Sequence, residues 1–269
     1  YKKNGRVLLG YFRRRTHMVT DIAQCLVADP AIVDLRGKLT VALAPLLQEG
    51  KAADVFIQSI NGATEIVVTG PVGRTGRPDL QMYEAAAELA QALGLARISW
   101  RANEREAPDI VLEVTPLTAR FGELLVSLPP LAFLQPTVAG EAALVSAVRA
   151  ELPKKGKLAD LFCGSGTFSG PMLDHGTVDA FDSGESAIRA LDKARGPRPL
   201  AAHRRDLFRE PLAPEELNRY TAVVFDPPRA GAEAQATALA GSSVPLVIGV
   251  SCDARSFARD ARLLQDGGY

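Results

Sequence analysis

The sequence predicts an α/β protein, with a parallel-rich sheet in its second part and a smaller mixed α+β region before it. Three observations carry this expectation. From Lys157 onward, apolar β-prone runs alternate with helix-spaced segments, the pattern of parallel strands joined by right-handed crossovers. A glycine-rich string, Asp160-Leu-Phe-Cys-Gly-Ser-Gly-Thr-Phe168, follows the first of these runs, where a strand hands over to a helix. Upstream of Lys157 the signals are those of hairpins and separate helices.

Along the chain, Tyr1-Lys-Lys-Asn-Gly5 reads as the middle of a strand-rich region. Strands at 55–60 and 64–68 flank Asn61-Gly62, a type I′ hairpin signal because both turn positions require positive φ. A helix is predicted over 79–93, with Asp79 at its start and Gly94 as its stop. Short strands follow at 97–100, 110–114 and 124–128, the last broken by Pro129-Pro130. A helix at 140–152 and the turn Pro153-Lys-Lys-Gly156 lead into the alternating part. There, strands are expected at 158–162, 178–181, 200–203, 222–225 and 246–250, and helices at 168–174, 186–194, 232–240 and 254–264. The helix at 140–152 is expected to pack on the sheet, so the boundary is drawn just before it, giving regions 1–136 and 137–269.

Composition narrows the classes. Hydrophobic residues make up 47% of the 269, enough for a substantial core. No run of about 18 uncharged apolar residues is present and no signal-peptide pattern opens the sequence, so no membrane association is expected. Lys+Arg and Asp+Glu number 31 each, so net charge alone implies no polyanionic partner. The distribution says more: Lys2, Lys3, Arg6, Arg13, Arg14 and Arg15 crowd the N-terminus, either a solvated face or a phosphate-contacting one. Cys25, Cys163 and Cys252 are widely spaced, which fits a reducing cytoplasm better than a disulfide framework.

In parallel sheets, ligands gather outside the carboxyl ends of the strands. The Gly164–Gly166 loop, Asp182, Asp206, Asp226 and Cys252 all fall at or just after such ends. The loop has neither G-x-G-x-x-G spacing nor a P-loop Lys. With Asp182 placed to accept ribose hydroxyls, it suits a nucleoside cofactor without pyrophosphate, S-adenosylmethionine; the alternative is a tight turn with no ligand. In Asp226-Pro-Pro-Arg229 the prolines fix the backbone and remove two donors. Carbonyls and the Asp226 carboxylate are then left to face a planar ring, and a merely rigid strand end is the competing reading. Amine methyltransferases carry an aromatic where this chain has Arg229, so amine chemistry is a poor fit. Cys252 precedes the helix of Ala254-Arg-Ser-Phe-Ala-Arg-Asp260, a placement in which free N–H groups and the helix dipole stabilise a thiolate nucleophile. Cys163, inside the loop, reads as packing. Phe133-Leu-Gln135 reads as a hydrophobic turn with an amide, although Phe can stack on a ring and Gln can read both a carbonyl and an N–H. His17, His175 and His203 lack zinc-ligand spacing.

At these residues the chain resembles the S-adenosylmethionine-dependent RNA uracil-5-methyltransferases, which modify ribosomal RNA or the T-loop of transfer RNA. The resemblance runs from about Leu8 to Tyr269. It implies a Rossmann-like class I methyltransferase domain over 137–269 and a central, RNA-binding domain over 1–136. It implies that Cys252 is the nucleophile adding to uracil carbon 6. It implies cofactor contacts from Gln135, Phe162, Gly164, Thr167, Asp182, Asp206 and Asp226, and uracil contacts from Phe133, Gln135 and Asp226. Thr167 stands where relatives often have Asn. Cys25 resembles the last of four Cys that ligate a [4Fe–4S] cluster in the ribosomal-RNA branch, whose other three precede Tyr1 in relatives, as does a small β-barrel. Relatives also continue past Tyr269 into strands that carry the Glu that takes the carbon 5 proton. The expected partner is RNA, ribosomal preferred and transfer RNA as the alternative. The competing readings are an amine-directed nucleic-acid methyltransferase and a non-catalytic RNA-binding module.

Overall fold

The structure, a computed structural model, describes residues 1–16, 18–26, 28–72 and 76–269. The chain folds as two compact units, Tyr1–Thr118 and Ala119–Tyr269.

The first unit opens with two small antiparallel pairs, β1 (Lys2–Lys3) with β2 (Arg6–Val7) and β3 (Gly10–Phe12) with β4 (Val19–Asp21). Helix α1 (Pro30–Ala42) follows. The sequence expectations contain no helix here, although its start is written locally: the Asp29 carboxylate accepts the Ala31 N–H at 2.8 Å and Pro30 occupies the first helical position. Lys2 Nζ donates to the carbonyls of Ala44 and Leu47 just beyond its end, which removes Lys2 from the free basic cluster. A four-stranded sheet runs β5 (Asp54–Ile60), β6 (Ala63–Thr69), β7 (Leu95–Arg101), β8 (Asp109–Glu113), with only β6–β7 parallel. The β5–β6 turn has φ of 52° at Asn61 and 78° at Gly62, as the Asn-Gly pair requires. The β6–β7 crossover is α2 (Leu80–Leu93), capped by Asp79 on the Met82 N–H and stopped by left-handed Gly94. Leu39, Leu43, Ile66, Val68, Met82, Leu89, Ile98 and Trp100 form the core.

Charge is also buried in this sheet. Glu65 pairs in register with Arg97, and Arg97 with Glu113, across three neighbouring strands. Glu65 is fully buried, and its carboxylate takes the Arg97 Nε–H at 2.8 Å.

The second unit begins with a hairpin, β9 (Thr118–Phe121) and β10 (Leu124–Ser127), then α3 (Val138–Glu151). Its sheet has five strands: β11 (Gly156–Leu161), β12 (Gly176–Asp182), β13 (Leu200–Arg204), β14 (Ala222–Phe225) and β15 (Val247–Gly249). The order is β13-β12-β11-β14-β15 and every pairing is parallel. The order reverses at β11, as in Rossmann-like α/β sheets. Connections run through α4 (Ser169–Met172), α5 (Glu185–Arg195), α6 (Pro214–Leu217) and α7 (Glu233–Ala240), and α8 (Ala254–Asp266) closes the chain. The expected boundary at 136/137 lies inside this unit. The β9–β10 hairpin packs tightly on α4: a Cβ at Gly170 would sit 2.1 Å from the Phe121 carbonyl oxygen.

Replacing Glu65 by Ala leaves the buried Arg97 guanidinium with the partly exposed Glu113 as its remaining carboxylate and removes its buried one. The expected loss of unfolding free energy is about 3–5 kcal/mol. Asp192→Ala, which breaks an exposed pair with Arg195, is expected to cost under about 1 kcal/mol. Urea denaturation of both variants checks the contrast, and equal midpoints would contradict it.

Candidate active site

A parallel sheet delivers all its carboxyl ends to one edge. Leu161 pairs with Phe181 and Phe225, Asp182 with Arg204, and Phe225 with Gly249. Phe162, Asp182, Asp206, Asp226 and Cys252 therefore leave the sheet along a common edge.

The chain turns sharply after β11. Phe162 takes φ of 62°, a left-handed conformation that costs a non-glycine residue on the order of 1–2 kcal/mol. Gly164 and Gly166 follow at φ of 53° and 101°. Gly166 lets the loop lie on α5, since a Cβ there would meet Leu191 at 2.7 Å. A Cβ at Gly164 would meet nothing within 4 Å, so this backbone faces open space. Asp182 anchors the turn: its two oxygens accept the N–H groups of Gly164 at 3.0 Å and Gly184 at 2.7 Å.

Two further acids crowd this edge. Asp160 is fully buried, accepts the Ser169 hydroxyl on Oδ2, and leaves Oδ1 without a partner among the described residues. Burial, helped by the charges of Asp226 and Asp182 and opposed by the Ser169 bond, pushes its carboxyl up to about 7. Burial pushes Asp226 up to about 6. The sequence reading gave Asp160 no role. Its signal was an acid inside an otherwise apolar strand, Leu158-Ala-Asp-Leu161.

The Asp206 carboxylate is turned onto its own loop, accepting the N–H groups of Phe208 at 3.0 Å and Arg209 at 3.3 Å. Phe208 was also missed; its ring lies 5.4 Å from that of Phe162 at 57° and is half-exposed, which gives the glycine loop an aromatic border. Thr167 is partly buried beside that loop. Phe133 is exposed and Gln135 half-buried, on the segment before Thr137, whose hydroxyl caps α3 through the Gly140 N–H. Among the described residues, neither Phe133 nor Gln135 hydrogen-bonds to Asp182, Asp226 or Cys252.

Cys252 is exposed. The expectation that free helix N–H groups stabilise its thiolate needs correction. Asp253, not Cys252, caps α8, and its carboxylate takes the Arg255 and Ser256 N–H groups at 3.0 and 3.2 Å. These bonds hold the Asp253 carboxyl below its ordinary range. The cap fixes the backbone at Cys252 instead, together with the Asp253 N–H donating to the Ser251 hydroxyl. Cys163 is buried and its thiol is pushed up by burial, as suits a packing residue.

Cys25 lines an apolar pocket with Leu9, Tyr11, Ile32 and Ile57. It is the single thiol of its unit, and no group of three or more His, Cys, Asp or Glu residues suited to a metal occurs among the described residues. These residues do not make up the ligand set of a [4Fe–4S] cluster. His175 bonds the Pro153 carbonyl through Nδ1 at 2.9 Å, and His203 stacks on Phe181; His17 lies outside the described residues. No helix among the described residues is long and apolar enough to cross a membrane.

The Asp160 carboxyl binds its proton far more tightly folded than unfolded, where it titrates near about 3.9. The pH-dependent part of its burial cost is therefore absent at low pH, grows as pH rises through the unfolded value, and becomes complete above about 7. Asp160→Asn is expected to gain about 2–3 kcal/mol on the parent between pH 5 and pH 8, measured by denaturant unfolding at both. Parallel pH profiles would contradict this.

No family model matches the chain. It is 38% identical to an uncharacterized RNA methyltransferase of Brucella suis, over 98% of this chain and 62% of that protein. It is 32% identical to one of Zymomonas mobilis, over all of this chain and 67% of the relative. It is 31% identical to the 23S rRNA (uracil(1939)-C(5))-methyltransferase RlmD of Halomonas elongata, over 99% of this chain and 57% of that protein. The crystal structure of Pyrococcus abyssi tRNA (uracil-54, C5)-methyltransferase in complex with S-adenosyl-L-homocysteine superposes with a TM-score of 0.70. That match has 18% identity and covers 94% of this chain and 65% of the other, so it speaks for the fold. The chain thus spans about 62% of the length of the first relatives. With the strand-end motifs already located, these likenesses establish that the chain belongs to a family of RNA methyltransferases.

Proposed function

We propose that this chain serves an enzyme that methylates carbon 5 of a uridine in RNA, 23S ribosomal RNA in preference to transfer RNA. The observation that carries the proposal is the convergence at one sheet edge of an open glycine loop, a half-buried carboxylate at Asp226 and an exposed thiol at Cys252. The ribosomal preference rests on the Halomonas relative's name and on Cys25 matching the ribosomal branch. Three free cysteines fit a reducing compartment, the cytoplasm. No step runs through an iron–sulfur cluster.

In this reading the second unit is the methyltransferase domain. Phe162, Gly164, Thr167, Asp182, Asp206, Asp226 and Gln135 hold S-adenosylmethionine. The loop backbone suits this because it is open at Gly164 and fixed by Asp182, and the crowded acids suit a cationic sulfonium. The cofactor supplies an electrophilic methyl group. Asp226 accepts the N3–H of the uracil, with Phe133 and Gln135 as further contacts to the base. The Cys252 thiolate forms a bond to carbon 6, and the electrons of the 5,6 double bond move toward the carbonyl oxygen at carbon 4. Carbon 5 thereby gains the electron density to take up the methyl group. A carboxylate base then accepts the carbon 5 proton, the double bond re-forms, and the Cys252 thiolate leaves. The reacting edge of uracil is inaccessible in a stack, so the base is expected to be flipped from a loop or single strand.

The first unit is read as RNA-binding. Its β3–β4 hairpin exposes Tyr11 and Phe12 beside Arg13, Arg14 and Arg15. Among the described residues none of these three arginines makes an ion pair. Stacking rings next to unpaired guanidinium groups suit single-stranded RNA.

Cys252→Ala is expected to reduce methyl transfer by more than about 10³-fold, followed with labelled cofactor and nucleoside mapping. Label on an exocyclic amine, or an active Cys252→Ala protein, would favour the amine-methylating reading. Replacing Arg13, Arg14 and Arg15 together by Ala is expected to weaken RNA binding and to flatten the slope of log affinity against log salt by about 2. An unchanged slope would remove the hairpin from the interface.

A further inference from the structure

Two chain segments carry the chemistry proposed above, and they enter the site from different elements. Asp226 begins the loop after β14, and Cys252 lies just ahead of α8. The two are joined through α8. Asp260 is 2% exposed. Its Oδ2 accepts the Ala232 N–H at 2.6 Å, and its Oδ1 accepts the Arg259 Nε–H at 2.8 Å. Arg259 in turn donates through Nη2 to the Ala230 carbonyl at 3.0 Å. Gly231, between these two loop residues, has φ of 76°. A Cβ there would lie 2.5 Å from Arg259 Nη2, 2.6 Å from Asp260 Oδ2 and 2.7 Å from Ser256 Cβ. The loop backbone therefore lies directly on the face of α8 formed by Ser256 and Asp260, four residues apart, and only glycine permits that approach. The Gly231 N–H closes back on the Pro228 carbonyl at 2.8 Å, so the clamp reaches Asp226 through two prolines whose φ angles are fixed.

We propose that Asp260 and Gly231 are positioning residues that set the distance between Cys252 and the Asp226 loop. The inference rests on the reading of Cys252 as the nucleophile. Neither residue is among the cofactor and uracil contacts proposed above. They hold α8, and with it the thiol one residue outside the helix cap, in register with the groups that hold the base. A buried carboxylate bonded on both oxygens is a stiff tie. Misplacement of a reacting group by about 1 Å can cost about 10²-fold in rate.

The test uses the full-length protein, single-turnover methyl transfer to uridine-containing RNA at saturating RNA and cofactor, and separate equilibrium binding of both. Asp260→Ala is expected to slow the transfer step by about 10- to 100-fold with cofactor and RNA dissociation constants within about threefold of the parent. Asp260→Asn, which keeps an oxygen to accept the Ala232 N–H, is expected to recover most of the rate. Gly231→Ala perturbs the same clamp from the loop side, is expected to give the same split, and carries the test if Asp260→Ala does not fold. A merely structural role would instead lower binding and melting temperature together with the rate, and that pattern would overturn the proposal. A parent-like rate in Asp260→Ala, with Cys252→Ala inactive, would overturn the positioning role alone. A parent-like rate in Cys252→Ala would overturn the nucleophile reading and this inference with it.

Discussion

The Asp182 carboxylate accepts the N–H groups of both Gly164 and Gly184, and the shape of the strand-end edge depends on that pair of bonds. Hydrogen bonds to a charged acceptor contribute about 1.5–3 kcal/mol each, enough to hold Phe162 in a left-handed conformation that its side chain disfavours. The consequence is a glycine loop that turns its backbone outward at Gly164 while Gly166 packs on α5. The other groups proposed for this edge, Asp226 and the segment carrying Cys252, follow the neighbouring strands β14 and β15.

The same edge concentrates negative charge. Asp160, Asp182 and Asp226 lie close enough that the charges of the last two raise the proton affinity of the first. Such crowding disfavours the folded protein near neutral pH, and an arrangement of this kind is characteristic of functional sites. A cationic ligand offsets the repulsion, in keeping with a sulfonium cofactor. The buried Glu65–Arg97–Glu113 ladder of the first unit is of another kind: there opposite charges meet in register across three strands.

Much of the second unit was legible because parallel α/β order is written in local pattern. The run 222–225 became β14 at its expected bounds, and the other four sheet strands and five of the helices fall within a few residues of expectation. Helices α1 and α6 and strands β3, β4 and β9 were not foreseen. Helix α1 has Gly37 in its interior and no strong apolar stripe, and α6 is a single turn, so neither has the period that reveals a helix. The strand-end positions of Asp182, Asp226 and Cys252 followed from the same alternation. What sequence did not reveal depends on tertiary neighbours. Nothing local says that Asp160 would be fully buried or that Asp260 would reach across to Ala232; the Asp253 cap, by contrast, is a local signal that the placement of Cys252 at the helix start passed over.

The claim at the centre of this account is a transient bond between the Cys252 sulfur and a pyrimidine ring. The most direct measurement is peptide mapping by mass spectrometry after incubating the full-length protein and cofactor with RNA carrying 5-fluorouridine. The fluorine cannot leave as a proton does, so the covalent species stalls. The account predicts a nucleotide-sized mass increment, present only with both RNA and cofactor, on the peptide that contains Cys252. Conversion of ordinary uridine to 5-methyluridine with no increment on that peptide would contradict it.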